Sequence, residues 1–395
     1  MMENQARAVA DKAHDLADEG DPYKAQLLAL AVLPDNLSNL DRPYTLEAEV
    51  TLRDASMCST TILGKHESSV SSVSVSPDGK HIISASNDNT IKIWDIWTGM
   101  QIMTLNGHKA PVYSAVFSPD GKRIASSSSD GTIRIWNAQT GKLIFVINSS
   151  IDYFARVSFS SDGKYVACGT GGDISIWDSQ TGRIIDTLKG HTFTVCSVAF
   201  SPYDKYMVSS SWDKTVKIWD LQTHSVIHTL KGHTLQVYSV AFSPDGKSIV
   251  SASGDKTVKI WDVQKGNAIR TLLGHTGYVN SASFSNDGLR IVTASFDNTI
   301  RIWDAMLNNI LVGHTGAITS ASFNSTGNSI VSASLDGTVR VWNFIKNDKF
   351  GKTKENLTTY FCDSYSSHVI YASEKKRLGD NRLIMLIFFG SSQGQ

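Results

Sequence analysis

Histidine, serine and aspartate recur along this chain at fixed offsets, and a base oriented by a carboxylate beside a hydroxyl is how nucleophiles are activated. The sets are His66, Ser84, Asp88; His108, Ser126, Asp130; His191, Ser209, Asp213; His233, Ser251, Asp255; His275, Thr293, Asp297; and His314, Ser332, Asp336. A tryptophan completes each set, at Trp94, Trp136, Trp219, Trp261, Trp303 and Trp342. A nucleophilic enzyme needs one such set, and six copies argue against catalysis. A buried imidazole must satisfy both ring nitrogens, and carboxylate, hydroxyl and indole N–H groups can supply the partners. The sets His191, Ser209, Asp213, Trp219 and His233, Ser251, Asp255, Trp261 therefore read as structural tetrads, with no catalytic residue assigned.

The tryptophans also divide the chain. Trp94, Trp136, Trp177, Trp219, Trp261, Trp303 and Trp342 follow one another at intervals of 42, 41, 42, 42, 42 and 39, each with Asp or Asn next. Such a period marks units that bury their apolar faces on their neighbours. In the fifth unit, "VYSVAF", the type I turn "SPDG", "SIVSAS", "GDK", "TVKIWD", "QKGN" and "AIRTLL" read as four strands and their turns. Apolar residues on both faces of most strands predict sheets covered on both sides.

These units resemble WD40 repeats over roughly residues 60–343. The resemblance implies a β-propeller of four-stranded blades, in which the six sets are the family's structural hydrogen-bond tetrads. Seven outer strands can be counted, from "TTIL" at 60–63 to "NNILV". The first precedes the first unit and is expected to complete the last blade. The fold class is therefore all-β, a seven-bladed WD40 β-propeller, with a small α-helical N-terminal extension.

The third unit departs from the pattern. Ser150 stands in place of His, Cys168 in place of Ser, and "TGGDISIW" is one residue short. This blade keeps only Trp177 of its tetrad and is expected to be the weakest. The innermost strands, such as "VYSAVFS" and "VNSASFS", contain no Asp, Glu or His, and Arg156 is their only charge. No metal constellation or acid–base pair is available there, and no cofactor is expected. Basic residues two before the tryptophan in six units (Lys92, Arg134, Lys217, Lys259, Arg301, Arg340) read as stems covering apolar surface with solvated heads.

With the register set, the residue before each turn Asp varies freely: Asn87, Ser129, Trp212, Gly254, Phe296 and Leu335. Positions three and five after the histidine share that face and add Tyr113, Tyr153, Tyr238 and Tyr278. Tyr113, Tyr153, Trp212, Tyr238, Tyr278, Phe296 and Leu335 thus form a candidate protein-binding rim, aromatic and free of formal charge. WD40 proteins commonly bind peptides or protein loops on this face, so the resemblance points the same way.

Residues 1–58 read as a helical connector, 59–343 as the propeller and 344–395 as an irregular tail. In the first segment, "GDPYKAQLLALAVLP" and "RPYTLEAEVTLRDA" resemble the connector between a STAND-type signalling NTPase and a C-terminal WD40 propeller in bacteria. That resemblance implies a sensor role and an NTPase partner acting in trans. The chain has no G-x-x-x-x-G-K-[ST] and so no phosphate cradle of its own. A detached sensor, a subunit working in trans and a gene fragment stay open. Lysine plus arginine and aspartate plus glutamate balance at 37 each, which gives no footprint for nucleic acid or an anionic membrane. Four scattered cysteines (Cys58, Cys168, Cys196, Cys362) and the absence of a leader-like start point to the cytoplasm. The expectation is a non-enzymatic module that binds a protein or peptide. A general scaffold without an NTPase link is the alternative, and a hydrolase or lyase propeller is the rival from another class.

Overall fold

Each repeat folds into a four-stranded antiparallel sheet in the computed structural model, which describes residues 59–149, 155–304, 308–343, 370–372 and 387–389. Blades 1 to 6 span 70–105, 112–148, 158–189, 195–230, 237–272 and 279–311, and each is a simple up-and-down meander of strands a to d. Blade 7 is built differently. Its strands a to c run from Ile318 to Asn343, and its outermost strand is Ser59–Lys65, paired antiparallel from Ser59 with Asn343 to Lys65 with Thr338. The beginning and the end of the repeat array thus share one sheet, and the ring closes as the seven outer strands imply. Among the described residues there are strands and turns only; the helices expected over 1–58 lie outside them.

The core is not one body but seven. Each apolar cluster joins consecutive blades: Val208, Val216, Ile218 and Leu230 of blade 4 pack on Val237, Val240, Ile249 and Trp261 of blade 5. Leu63, Val331, Ala333, Val339 and Val341 of blade 7 pack in the same way on Val70, Val73, Ile82 and Trp94 of blade 1. Strand b is buried throughout most blades, as at Met207–Ser211, whereas strand d faces solvent, as at Ala268–Thr271. This gradient explains the blurred alternation, because inner strands are covered on both faces.

Blade 3 shows what its altered sequence does. Cys168 takes the register place of the tetrad serine, opposite Ser175, while Gly171 and Gly172 make a two-residue turn between the paired Thr170 and Asp173. Gly171 has φ of 72°, which the Gly-Gly pair provides without a Cβ penalty. The turn presses on blade 4: a Cβ at Gly172 would lie 2.7 Å from the His191 carbonyl oxygen, and one at Gly169 would collide with that of Val195. Strand a is reduced to Ser158–Phe159, against six residues at Val195–Phe200 in blade 4. The later unit, 353–395, contains a short antiparallel pair, Ile370–Ala372 with Ile387–Phe389, where the sequence suggests an irregular tail.

A blade with two paired inner residues and no tetrad should open more often than its neighbours. Amide exchange at Tyr165–Thr170 is expected to be faster than at Tyr206–Ser211; equal protection would show that inter-blade packing alone sets local stability.

Candidate protein-binding face

The tetrads hold this face rigid. In blade 4, His191 Nδ1 lies 2.7 Å from Asp213 Oδ2, His191 Nε2 2.8 Å from Ser209 Oγ, and Trp219 Nε1 donates to the same Oγ at 2.8 Å. Blade 5 repeats the set through His233, Asp255, Ser251 and Trp261 at 2.8, 2.7 and 2.8 Å. The carboxylate can only accept, so Nδ1 carries the proton; Nε2 of a neutral ring then accepts from the serine, whose oxygen accepts from the indole. Ser209 and Ser251 have no exposed surface, so their hydroxyls cannot meet a substrate. Asp213 also accepts from the Thr215 hydroxyl and from the N–H groups of Thr192 and Thr215, tying the turn to the loop that enters strand a. The glycine before the histidine fits the same tryptophan closely: a Cβ at Gly190 would be 2.9 Å from Trp219 Cη2.

Burial pushes the His66, His108 and His314 imidazoles below their ordinary 6.5, more than their aspartates raise them. Burial would by itself raise Asp130 and Asp336, but hydrogen bonds from Thr132 and Thr338 hydroxyls, backbone N–H groups and the histidines bring both down to about 2. Asp213, Asp255 and Asp297 are held low in the same manner.

Above the tetrads, six backbone bonds tie the residue before the turn Asp to the residue three after the histidine. Trp212 N–H donates to the Thr194 carbonyl at 3.0 Å, Gly254 to Gln236 at 2.9 Å, Phe296 to Tyr278 at 2.9 Å and Leu335 to Ala317 at 2.9 Å. Tyr278 and Phe296 are 46% and 48% exposed and meet edge to face, with centroids 6.0 Å apart. Leu335 is exposed as well. Tyr238 is half-buried against Gly254, where a Cβ would be 3.3 Å from its Cε2. Trp212 is also half-buried, so it forms a floor more than a projecting anchor.

Two members need correction. Tyr113 is 8% exposed and belongs to the interior. It sits at the register slip of strand a, between the pairs Val112–Ser128 and Ser114–Ser127, as the half-buried Tyr238 does in blade 5, so equal spacing does not give equal exposure. Tyr153 lies outside the described residues. The spacing argument also misses Phe193, 63% exposed, and Leu235, both two positions after a tetrad histidine. Comparing that position across units would find them. The apolar face is therefore half a ring: blades 4 to 7 carry Phe193, Leu235, Tyr278, Phe296 and Leu335, whereas blades 1 and 2 offer Ser69, Asn87, Pro111 and Ser129. Three of the basic residues before the tryptophans, Lys92, Arg134 and Arg301, lie 5.7–6.0 Å from the centroids of Trp94, Trp136 and Trp303 rings, a cation–π use of their charge. Among the described residues, no group of three His, Cys, Asp or Glu side chains could hold a metal.

A model of the WD domain, G-beta repeat, matches seven segments: 57–95, 99–137, 143–178, 182–220, 224–262, 266–304 and 306–343. The chain belongs to the WD40 family. WD40 propellers are generally non-enzymatic modules that bind proteins or peptides, and the match begins at residue 57, after the segment that resembles a STAND-type connector. A 61-residue stretch is 41% identical to the Notchless protein homolog of Arabidopsis thaliana, covering 15% of this chain and 13% of that protein. Another, of 70 residues, is 39% identical to the Ribosome biogenesis protein BOP1 homolog of Drosophila grimshawi, covering 17% and 9%. The chain thus covers a small fraction of these relatives' lengths.

Ser209→Ala would strand both the Trp219 N–H and His191 Nε2, at a cost of about 1–3 kcal/mol for each unpaired group. The expected loss in denaturant unfolding is larger than for Cys168→Ala in blade 3, where no tetrad exists to break; equal losses would mean that the tetrad adds little to this WD40 propeller.

Acid should destabilise the propeller in two stages. Histidines with lowered folded pKa contribute stability that is full above 6.5 and declines as pH falls below it; depressed aspartates contribute stability present above 3.8 and lost as pH falls toward about 2. Melting temperature measured from pH 8 to pH 3 is expected to decline below 6.5 and to fall more steeply below 4; a rise between pH 7 and pH 5 would overturn this sign.

Proposed function

We propose that this WD40 propeller is a docking module for a protein or peptide, engaged through the apolar half-ring of blades 4 to 7. The observation that carries this reading is the grouping of Phe193, Tyr278, Phe296 and Leu335, all exposed, on one face and one side of the ring. Exposed aromatics gathered in a charge-poor patch are the usual composition of an interface centre. Half-buried Trp212 and Tyr238 supply a rigid floor, and the tetrads keep the turns in place, so little order is lost on binding. The exposed Lys214 and Lys256, each one residue after a tetrad Asp, flank the patch and favour a partner with apolar residues beside acidic ones. The match to the WD40 family, whose propellers generally bind proteins or peptides, supports a docking module.

A finer reading places the propeller in a cytoplasmic signalling assembly, as the sensor of an NTPase supplied in trans. The resemblance of residues 20–55 to a STAND connector is its support, and an NTPase that co-purifies with wild type and rim variant alike would put that contact away from the face.

A Phe193→Ala, Tyr278→Ala, Phe296→Ala variant should unfold within about 1 kcal/mol of wild type, because exposed side chains add little to stability. Its affinity for a partner captured from host lysate should drop by roughly 30-fold or more, as expected when interface anchors are truncated. Substituting Ser69 and Ser129 on the polar half should leave binding unchanged. Identical partner profiles for wild type and the aromatic variant would reject the half-ring.

A further inference from the structure

The centre of the ring carries one cation where its symmetry calls for a hydroxyl. Just after the register slip in strand a, six blades place a buried serine: Ser72, Ser114, Ser197, Ser239, Ser281 and Ser320. Blade 3 places Arg156 in that position. All seven line a central cavity of about 570 Å³. The guanidinium crosses the channel toward blades 5 to 7. Its Nη1 donates to Ser239 Oγ at 3.4 Å, and Nη2 donates to the carbonyl oxygens of Asn280 and Thr319, both at 3.2 Å. Three of its five N–H groups are used by these contacts, which fix its plane and leave the Nε–H and one Nη1–H without a partner among the described residues.

None of the described lining residues is a carboxylate. The carbonyls that hold Arg156 are neutral, so its charge has no counter-charge in the cavity. Arginine keeps its proton even when burial lowers its pKa, as it does here. A fixed cation in a cavity with low-dielectric walls, lined by serine hydroxyls of which Ser320 already donates to the Val73 carbonyl, attracts an anion. Access does not involve the aromatic rim. The cavity extends to Pro119, Ser160 and Ser161 at the a–b turns of blades 2 and 3, which lie at the far end of strand a from the rim.

The geometry points to an oxyanion site in the central channel, built on Arg156 and the serine ring, entered from the a–b turn face and taking a sulfate, phosphate or carboxylate group. The group could belong to a small free anion or to an acidic side chain inserted by a protein on that face; the chemistry is shared. This site is independent of the rim reading.

The test uses the full chain with two probes, inorganic sulfate for the free anion and N-acetylaspartate amide for a protein side chain. Each is titrated against sodium chloride of matched ionic strength, with melting temperature and calorimetric binding as readouts. Wild type should show saturable stabilisation by at least one probe, and the probe that binds identifies the source. Arg156→Met should weaken it by roughly tenfold or more, with Arg156→Lys in between, since a lysine keeps the charge but loses the planar fork. The Phe193→Ala, Tyr278→Ala, Phe296→Ala variant should bind the probe like wild type, which separates this site from the rim. If Arg156→Met does not fold, crystals of wild type soaked in selenate decide: an anomalous peak within hydrogen-bond distance of Arg156 supports the site. A channel without that peak, stabilisation no greater than that of chloride, or equal binding by folded Arg156→Met overturns it.

Discussion

Because each four-stranded sheet has two apolar faces and no interior of its own, burial between consecutive blades is the interaction on which the rest of this molecule stands. The seven clusters each draw on two neighbouring blades, so no blade is satisfied until both neighbours are in place. Closure is therefore decisive. Ser59–Lys65 supplies the fourth strand of blade 7 and delivers Leu63 into the cluster with Trp94. The added strand also pairs the edge of strand c, which would otherwise be ready to pair with another chain, just as strand d does in the other six blades.

The tetrads add precision to a ring that packing has already assembled. A buried serine oxygen serves two partners, the indole below and the imidazole beside it, and the aspartate beyond gathers the b–c turn and the entering loop. The neighbour of that aspartate is then free to change without cost to the scaffold. Trp212, Gly254, Phe296 and Leu335 occupy equivalent backbone places, held by equivalent backbone bonds, yet differ greatly in bulk. Blade 3 is the exception that shows the division of labour: it loses the tetrad, keeps Trp177 in its cluster, and stays in the ring with a shortened inner strand.

The two ends of the channel have separate chemistry. One face collects aromatic and aliphatic side chains over half its circumference, suited to desolvation by a partner. Across the channel a single guanidinium is anchored by neutral acceptors among serines, in a cavity that extends to the other face. Both features arise where blades differ from one another, and the repeat itself acts as a frame on which such differences are displayed.

The tryptophan spacing by itself determined the repeat and its sevenfold count, and the resemblance to WD40 repeats with the count of outer strands supplied the blades and the closing strand, because a period near 42 residues with one turn chemistry admits few ways of burying apolar faces. The partners within each tetrad were also legible, since offsets that never vary place the same atoms together in every blade. Direction was not. Tyr113 and Tyr238 share the slipped position of strand a, yet Tyr113 is buried and Tyr238 half-buried, while Phe193 stands out before the strand begins. Nor could Arg156 be read as more than a stray charge in an uncharged strand. Its contacts run to residues 83, 124 and 163 positions away, on blades that only ring closure brings within reach of one side chain. Pattern determines what a repeat buries, while the identity of the residues that meet across the centre is decided by the closed ring.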